Sequence, residues 1–307
     1  MRNQIKKQVV YVIGEVLIDI FPDYQRIGGA PFNFAYHLKK MGVPVRFFTR
    51  IGEDLNGKRI LELLKGSGFN EADVQIDPQY PTGTVNVDLD DQGVPQFNIR
   101  DNVAYDHMQL DFLADSNQKD VRMIYFGTLV QRSDHNYFQI RRFLSRKTVY
   151  TDGFCDLNLR SPHVNFNAIE TCLHFSDILK LNDSELIFLK EYFQGPDPID
   201  AYVNWLMTRF TIKAVALTKG SQGSVLYRPS QIIHSKPVQC TIKDTVGAGD
   251  GFAAVLALCW MKGITPRSTI ELASEFASTI CSIEGAVPNT DEVYDSLMNQ
   301  IEGDAYA

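Results

Sequence analysis

Short apolar segments of the length of buried strands alternate with helical patterns along most of the chain. Parallel strands need long crossover connections, usually helices, so this alternation predicts an α/β fold with a mostly parallel sheet that helices cover on both faces. Ligands in such folds bind at the carboxyl ends of the strands. The predicted strands are residues 9–13, 45–50, 123–126, 148–151, 178–181 and 214–218, and helices such as 57–65 and 137–145 lie between them.

A β-hairpin interrupts this alternation. Residues 84–89 and 96–100 alternate apolar and polar side chains on either side of an Asp- and Gly-containing turn at 90–93. Period-2 alternation around such a turn predicts two antiparallel strands with one apolar face. A hairpin inserted in an α/β chain cannot bury that face by itself, so we expect it to cover the ligand site or to pair with another subunit.

The composition of the 307-residue chain argues against several classes of protein. A hydrophobic fraction of 44% is enough to bury a large core. The net charge of −7 argues against nucleic acid as the main partner, because duplex binding needs a basic face. No uninterrupted apolar run reaches the roughly twenty residues that a membrane span needs. The five cysteines are odd in number and form no Cys-x-x-Cys pair, which favours a reducing, cytoplasmic location over a zinc or disulfide framework.

A glycine-rich turn at 244–252, with the sequence DTVGAGDGF, predicts an anion site. Gly247, Ala248 and Gly249 leave the backbone uncovered, and the helix that follows has unsatisfied N–H groups and a positive dipole end. Asp250 would repel a bound anion unless it has a task, such as accepting the proton of an attacking hydroxyl. Taken alone, the run could also be a helix that an aspartate caps after a glycine loop.

A second glycine pair, Gly28 and Gly29, precedes a helix that begins near Pro31 and ends at Gly42. Two glycines let the backbone approach a small ligand closely. Asn33, near the start of the helix, offers both a hydrogen-bond donor and an acceptor, which suits the hydroxyl groups of a sugar. By itself the segment could be only a turn and a helix cap.

Together the two glycine motifs resemble the N-terminal and C-terminal signatures of the PfkB-type, or ribokinase-like, carbohydrate kinases. Between them, 182–185 (NDSE) is similar to the Asn-x-x-Glu metal and phosphate motif of that family, and 218–223 (TKGSQG) is similar to its nucleotide loop. The four motifs follow the order of the family and span nearly the whole chain. The segments GEVLID at 14–19 and DLNLR at 156–160 resemble the fructokinase branch.

The resemblance implies a fold, an activity and an assembly. The fold is a ribokinase-like three-layer sandwich in one domain, 1–307, with a small β lid formed by about 16–28 and 83–104. The activity is transfer of the γ-phosphate of ATP to a sugar hydroxyl, with fructose as the expected acceptor, in a cytoplasmic homodimer that pairs through the β lid. A kinase for another ketose, a sugar acid or a nucleoside, and a non-catalytic sugar-sensing homologue, stay open as alternatives.

The resemblance also implies roles for single residues. Asp250 would accept the proton while the backbone of Gly247, Ala248 and Gly249 binds the transferred phosphoryl group. The residues expected to hold the sugar are Asp19, Gly28, Gly29, Asn33, Arg100 and Arg160. Those expected to bind the nucleotide are Lys180, Asn182, Glu185, Thr218, Gly220, Gly223 and Ser274. Ser274 stands where relatives often have an asparagine near the adenine, so the preference for a nucleotide base stays open.

Two metal sites are implied as well. Glu185 and Asn182 would orient Mg²⁺ on the ATP phosphates, through water. A monovalent cation such as K⁺ would lie beside Asp244 and Val246, next to the anion-binding loop. The resemblance therefore predicts that K⁺ raises the activity.

Two other nucleotide-binding motifs fit the sequence poorly. Residues 52–58 (GEDLNGK) have the spacing of a Walker A loop, but Arg59 replaces the metal-binding Ser or Thr, and two carboxylates would line the phosphate cradle. The first predicted strand is followed by Gly14-Glu15-Val16, which lacks the Gly-x-Gly-x-x-Gly turn of a dinucleotide-binding fold. The six histidines show no metal-binding spacing.

Overall fold

The computed structural model describes residues 8–89, 95–113 and 120–304. Its strands β1 to β13 are, in chain order, Val9–Ile13, Leu17–Ile20, Gln25–Gly28, Val45–Gly52, Val74–Asp77, Thr84–Leu89, Pro95–Ile99, Val121–Phe126, Asp152–Asp156, Ile178–Asn182, Ala214–Thr218, Ser224–Arg228 and Gln231–His234. Its helices α1 to α9 are Ala30–Lys40, Leu55–Gly66, Asp134–Leu144, Phe166–Phe175, Asp183–Phe193, Ile199–Phe210, Ala248–Lys262, Pro266–Cys281 and Glu292–Asp304.

A nine-stranded sheet forms the centre of the fold, in the order β13-β12-β11-β10-β9-β8-β1-β4-β5. The pairs from β5 to β11 are parallel, and β12 and β13 are added antiparallel at one edge. Both faces are buried: in β1, Val10 and Val12 pack with α1, α2, α7, α8 and α9, whereas Tyr11 and Ile13 belong to the core formed with α3 to α6. The mostly parallel sheet between two helical layers confirms the predicted α/β sandwich.

The predicted strand at 148–151 is wrong. These residues form a turn in which the N–H of Thr151 donates to the carbonyl of Thr148 at 3.1 Å, and the side chains of Val149 and Tyr150 are 88% and 84% exposed. The strand is Asp152–Asp156, which is buried throughout between β8 and β10. Val and Tyr favour strands and Asp and Gly do not, but burial between two neighbouring strands outweighs that preference. The other five predicted strands are confirmed, with small shifts at their ends.

A separate four-stranded sheet, in the order β3-β2-β6-β7, contains the predicted hairpin strands. Strands β6 and β7 pair antiparallel with Val85 opposite Ile99, and β2 joins β6 in parallel. One face is apolar, with Val85, Val87 and Ile99 packed against Leu17 and Tyr105. We call these four strands the small sheet. The predicted turn at 90–93 lies outside the described residues.

Helix α7 carries the glycine-rich motif and is buried on all sides. The large apolar residues Phe252, Val255, Leu256 and Cys259 are buried, and the smaller residues between them are buried too, because α7 packs against both α1 and α8. The N-terminus of α7 is thereby fixed where β10 and β11 end. Within the described part of the chain, neither α7 nor another helix combines the length and apolar character needed to cross a bilayer.

Candidate active site

The N-terminus of α7 is built on a backbone turn that only glycine adopts easily. Gly247 has φ 80°, and a Cβ at this position would lie 2.3 Å from Cβ of Ala286. The chain therefore enters α7 pressed against the segment that follows α8. The first turn of a helix cannot satisfy its own N–H groups, so the turn at Ala248 and Gly249 presents donors and a positive dipole end.

Asp250 lies in this first turn and is held from the sugar-side motif. Nδ2 of Asn33, on α1, donates to Oδ2 of Asp250 at 2.8 Å. Burial, and next the negative charge of Asp156, raise the pKa of Asp250 to about 6, although Lys180 and the hydrogen bond from Asn33 act against the shift. A carboxylate with a pKa just below neutral is ionised at pH 7 and still able to accept a proton, which suits a general base.

A buried ion pair lies beneath the anion-binding turn. Nζ of Lys180, on β10, lies 3.0 and 3.2 Å from the two carboxylate oxygens of Asp156, at the end of β9. A Cβ on Gly249 would lie 3.0 Å from the same ammonium, so glycine lets the turn approach Lys180 closely. Burial lowers the pKa of Lys180, but the charges of Asp156, Glu185 and Asp250 outweigh it and leave the pKa above its ordinary value. Lys180 therefore brings a full positive charge to the predicted phosphate position.

The residues predicted to bind the sugar include Asp19, Gly28 and Gly29, which lie close together on and after the strands β2 and β3. Asp19, on β2, faces Gly28, on β3, and a Cβ on Gly28 would lie 2.4 Å from Oδ2 of Asp19. Gly29 has φ 114°, and a Cβ there would lie 2.7 Å from the carbonyl oxygen of Glu15. Burial raises the pKa of Asp19 to about 6, and the charges of Arg160 and Arg26 oppose the shift. Glycine at position 28 therefore makes room for the carboxylate of Asp19, and glycine at position 29 lets the backbone approach that of Glu15.

The two predicted sugar-binding arginines differ in their surroundings. Arg160, in the loop after β9, is exposed, and its positive charge opposes the raised pKa values of Glu15, Asp19 and Asp250. Arg100 follows β7 with an exposed side chain, and its carbonyl accepts a hydrogen bond from Nη2 of Arg132 at 2.6 Å. The sugar-binding roles of both arginines stay predictions.

A cavity of about 710 Å³ opens on the other side of the anion-binding turn. It is lined by four of the predicted nucleotide residues, Thr218, Gly220, Gly223 and Ser274, together with Ala248 and Gly249. Its volume is within the range of about 300 to 1,000 Å³ that cofactor-sized ligands occupy. The hydroxyl of Ser274 lies 2.7 Å from that of Ser224 and 3.1 Å from that of Ser235, so it belongs to a hydroxyl cluster at the wall of the cavity.

Asn182 and Glu185 form a capping box at the start of α5. Oδ1 of Asn182 accepts from the N–H of Glu185 at 2.9 Å, and Oε2 of Glu185 accepts from the N–H of Asn182 at 2.8 Å. Oε1 of Glu185 accepts from the N–H of Leu159 at 2.8 Å. Since main-chain donors engage both oxygens, the carboxylate fits the predicted contact with Mg²⁺ through water better than direct coordination. Among the residues described, no three His, Cys, Asp or Glu side chains are grouped to hold a metal.

Asp244, predicted to lie beside a monovalent cation, pairs through its side chain with a guanidinium. Oδ2 of Asp244 accepts from Nη1 of Arg26 at 2.6 Å and from the N–H of Gly285 at 3.1 Å, while Oδ1 accepts from the N–H of Val246 at 3.0 Å. Burial raises the pKa of Asp244, but these three donors outweigh it and hold the pKa below its ordinary value. Asp244 is therefore an ionised, already paired carboxylate.

Comparison with known proteins identifies the family to which this arrangement belongs. The sequence model for pfkB family carbohydrate kinases matches residues 10–292. The chain belongs to the pfkB family. A fructokinase from Klebsiella pneumoniae is 26% identical over 281 residues, which are 87% of this chain and 89% of that protein.

Solved structures agree with the fold of this pfkB kinase. Fructokinase with bound ATP from Xylella fastidiosa matches with a TM-score of 0.82 at 19% identity, over 97% of this chain and 99% of that one. Fructokinase from Vibrio cholerae O395, solved with fructose, ADP and potassium ion bound, matches with a TM-score of 0.79 at 22% identity, over 95% and 98%. These similarities confirm the predicted ribokinase-like fold.

Two buried residues of the pfkB kinase site were not singled out from the sequence. Glu15 follows β1 and is 3% exposed; burial raises its pKa to about 7, with Arg160 and Arg132 acting against the shift. Asp156 is fully buried and was noted only as part of the DLNLR segment. A charge inside an apolar run is the signal that could have marked Glu15, because an ionisable group there must be buried with the strand.

His37 is a third residue that sequence reasoning missed, and it holds the segment against which the anion-binding turn packs. Nε2 of His37 lies 3.1 Å from the carbonyl oxygen of Ala286, and Nδ1 lies 2.9 Å from the hydroxyl of Tyr294. Burial lowers the pKa of His37 to about 4, so the imidazole is neutral. It fixes Ala286, the residue against which Gly247 packs. A lone histidine in a helix gave no sequence signal for this role.

The pH dependence of the pfkB kinase tests the environment of Asp250. Only the ionised carboxylate can accept a proton, so kcat/KM should fall as the pH drops through about 6. The Asn33→Ala variant removes a hydrogen bond that holds this pKa down, so the acidic limb should move to higher pH. A profile of kcat/KM between about pH 5 and about pH 9 measures the shift. Asn33 donates no hydrogen bond to Glu15 or Asp19 in the described structure, so a limb that stays in place would show that Asp250 does not control it.

Proposed function

We propose that this protein transfers the γ-phosphoryl group of ATP to a hydroxyl group of a sugar, with Asp250 as the base. The observation that carries the proposal is the place of Asp250 in the first turn of α7, bonded to Asn33 on the sugar side and next to the cavity behind Gly249. A base at this point lies between an acceptor hydroxyl and an anion-binding turn. That is the arrangement an in-line transfer requires.

The chain's own residues would position the sugar and move its proton. Asp19, whose carboxylate lies against Gly28, would accept hydrogen bonds from sugar hydroxyls, and Arg160, whose charge acts on Asp19, would contact the same sugar. Asp250 would take the proton of the attacking hydroxyl as the phosphoryl group is transferred. Arg100 would assist from the small sheet, and that sheet would act as a lid that excludes water.

The charge on the transferred group would be stabilised from the opposite side. The N–H groups of Gly247, Ala248 and Gly249 would bind the transferred group, and the ammonium of Lys180, 3.0 Å from a Cβ built on Gly249, would add a positive charge beside it. Thr218, Gly220, Gly223 and Ser274 would hold the rest of the nucleotide in the cavity. Mg²⁺, when bound to the phosphates, supplies further charge neutralisation, and the half-buried Asn182 with the buried Glu185 would orient its water ligands.

We propose fructose as the acceptor. One support is the fructokinase-like form of residues 28–31 (GGAP) and 156–160 (DLNLR). The other is the similarity to fructokinases, which are about a quarter identical to this chain in sequence. A kinase acting on another ketose, a sugar acid or a nucleoside is the alternative. A sugar-binding protein without catalysis is less well supported, because Asp250 and the glycine turn are both intact.

A panel of acceptors with ATP tests this assignment. Fructose should give the highest kcat/KM among fructose, ribose, a 2-keto-3-deoxy sugar acid and adenosine, measured as ADP formation and as phosphorylated product. A competitor that exceeds fructose by more than about tenfold, roughly 1.4 kcal/mol in transition-state binding, would contradict the assignment to fructose. Absence of phosphate transfer to every acceptor, with sugar binding intact, would favour the sensing protein.

Substitution of Asp250 tests the proposed base. The Asp250→Asn variant keeps the size of the side chain but cannot accept the proton, so kcat should fall by about 10² to 10⁴, or roughly 3 to 5 kcal/mol. The affinities for sugar and ATP should stay within a few-fold, measured by calorimetry. Asp134→Asn is the matched control, because Asp134 is an exposed carboxylate in the first turn of α3. A folded Asp250→Asn variant that keeps more than about a tenth of the wild-type kcat would show that Asp250 only caps the helix.

We further propose that two copies of this cytoplasmic enzyme pair through the small sheet. Phe97, on β7, lies opposite Val87, on β6, and so continues the apolar face of the small sheet. Its side chain is nevertheless 53% exposed. Large exposed apolar side chains that extend a buried face favour association. Sedimentation velocity should show a dimer, and the Phe97→Asp variant should weaken it. A wild-type protein that sediments as a monomer at assay concentrations would remove this proposal.

A further inference from the structure

Arg26 joins the small sheet to the loop that carries the anion-binding turn. It lies on β3, and its guanidinium contacts Asp244 at 2.6 Å through Nη1 and Glu284 at 2.8 Å through Nη2. The guanidinium also lies over Gly285, where a Cβ would come 3.7 Å from Nη1. The ring of Tyr24 covers it from the other side, with 4.6 Å from Cζ to the ring centroid. The arginine is therefore fixed by contacts on several sides.

Asp244 transmits this contact to the anion-binding turn. Its two oxygens hold the N–H groups of Val246 and Gly285, so one carboxylate ties the start of the turn to the segment after α8. The same two segments meet again where Gly247 packs against Ala286. A change in the charge or position of Asp244 would therefore shift both segments, the start of the anion-binding turn and the segment after α8.

The surroundings of Asp244 do not fit the monovalent cation expected there. The side chains of Arg26 and Asp244 are only 22% and 18% exposed, so their attraction is less screened than that of a surface pair. Lys243 and Glu284 line the same recess, so its two carboxylates are already matched by two cations. A K⁺ ion bound by the carboxylate of Asp244 would have to displace the guanidinium or approach it against like-charge repulsion.

We propose that the guanidinium of Arg26 is the resident cation of the anion-binding turn, in place of K⁺, and that it positions the turn for phosphoryl transfer. The inference rests on the proposed kinase function. It assigns Arg26 a positioning role, since Arg26 acts on the phosphate through Asp244 and the turn. It also links the two sides of the site, because Arg26 is the residue paired with Asp19 between β3 and β2.

The first test uses the wild-type enzyme alone. Fructose phosphorylation by ATP is measured in K⁺ and in tetramethylammonium at equal ionic strength, so that general screening is the same. The two kcat values should agree within about twofold. A wild-type enzyme that is at least about tenfold faster in K⁺ overturns the proposal. A protein that transfers phosphate to no acceptor of the panel in either salt contradicts the proposed kinase function instead, so the two failures are distinguishable.

The second test removes the guanidinium. In tetramethylammonium, Arg26→Ala should lower kcat by at least about tenfold while KM for the sugar changes less, because the turn and not the sugar pocket loses its support. Adding K⁺ should now raise kcat of this variant by at least about fivefold. Arg26→Lys, which keeps a charge but not the two-pronged contact, should fall between Arg26→Ala and the wild type. Arg59→Ala is the matched control, because Arg59 contacts Gln25 of the same strand at 2.8 Å and should behave as the wild type.

A measurement without catalysis completes the test. The melting temperature of Arg26→Ala should rise when K⁺ replaces tetramethylammonium, because K⁺ would bind the native site alone, whereas the wild type should show no such rise. An Arg26→Ala variant that is folded and keeps the wild-type kcat overturns the proposal. So does one that is slow but as indifferent to K⁺ as the wild type, in both kcat and melting temperature.

Discussion

The close contact between Gly247 and Ala286 is the constraint on which the rest of the site depends. It sets the place where α7 begins, and it requires a left-handed residue without a side chain at position 247. The side chains of two residues, His37 and Asp244, hold Ala286 and Gly285 in place. A neutral His37 binds the carbonyl of Ala286 from within the core, and Asp244 binds the N–H of Gly285 from the side of the small sheet.

Burial of charge is the second physical feature of the site. Glu15, Asp19 and Asp250 all have raised pKa values, because little water reaches the space that they share. The positive charges of Lys180 and Arg160 both oppose the raised pKa of Asp250 and offset part of the repulsion among these carboxylates. The arrangement leaves Asp250 ionised near neutral pH and still basic enough to accept a proton. A fully solvated aspartate would be a weaker base.

Local patterns were enough to predict the layers of the fold and to single out candidate residues of the site. The glycine turns, Asn33 and Asp250 each have a local physical reason to stand where they do, and so a short window of sequence reveals them. The strand Asp152–Asp156 was missed because its composition opposes a strand and only its neighbours make it one. The contact between Arg26 and Asp244 joins residues 218 positions apart, and no local pattern reports such a pair. The capping role of Glu185 likewise became visible only with the main chain around it.

A crystal structure with fructose and a non-hydrolysable ATP analogue tests the central claim most directly. The account predicts that the γ-phosphate lies against the N–H groups between Gly247 and Asp250, with Lys180 beside it. One sugar hydroxyl should lie within about 2.6 to 3.2 Å of a carboxylate oxygen of Asp250, the reach of a general base. A complex in which the phosphates bind away from the start of α7, or in which no sugar hydroxyl reaches Asp250 while both ligands are fully bound, would contradict it.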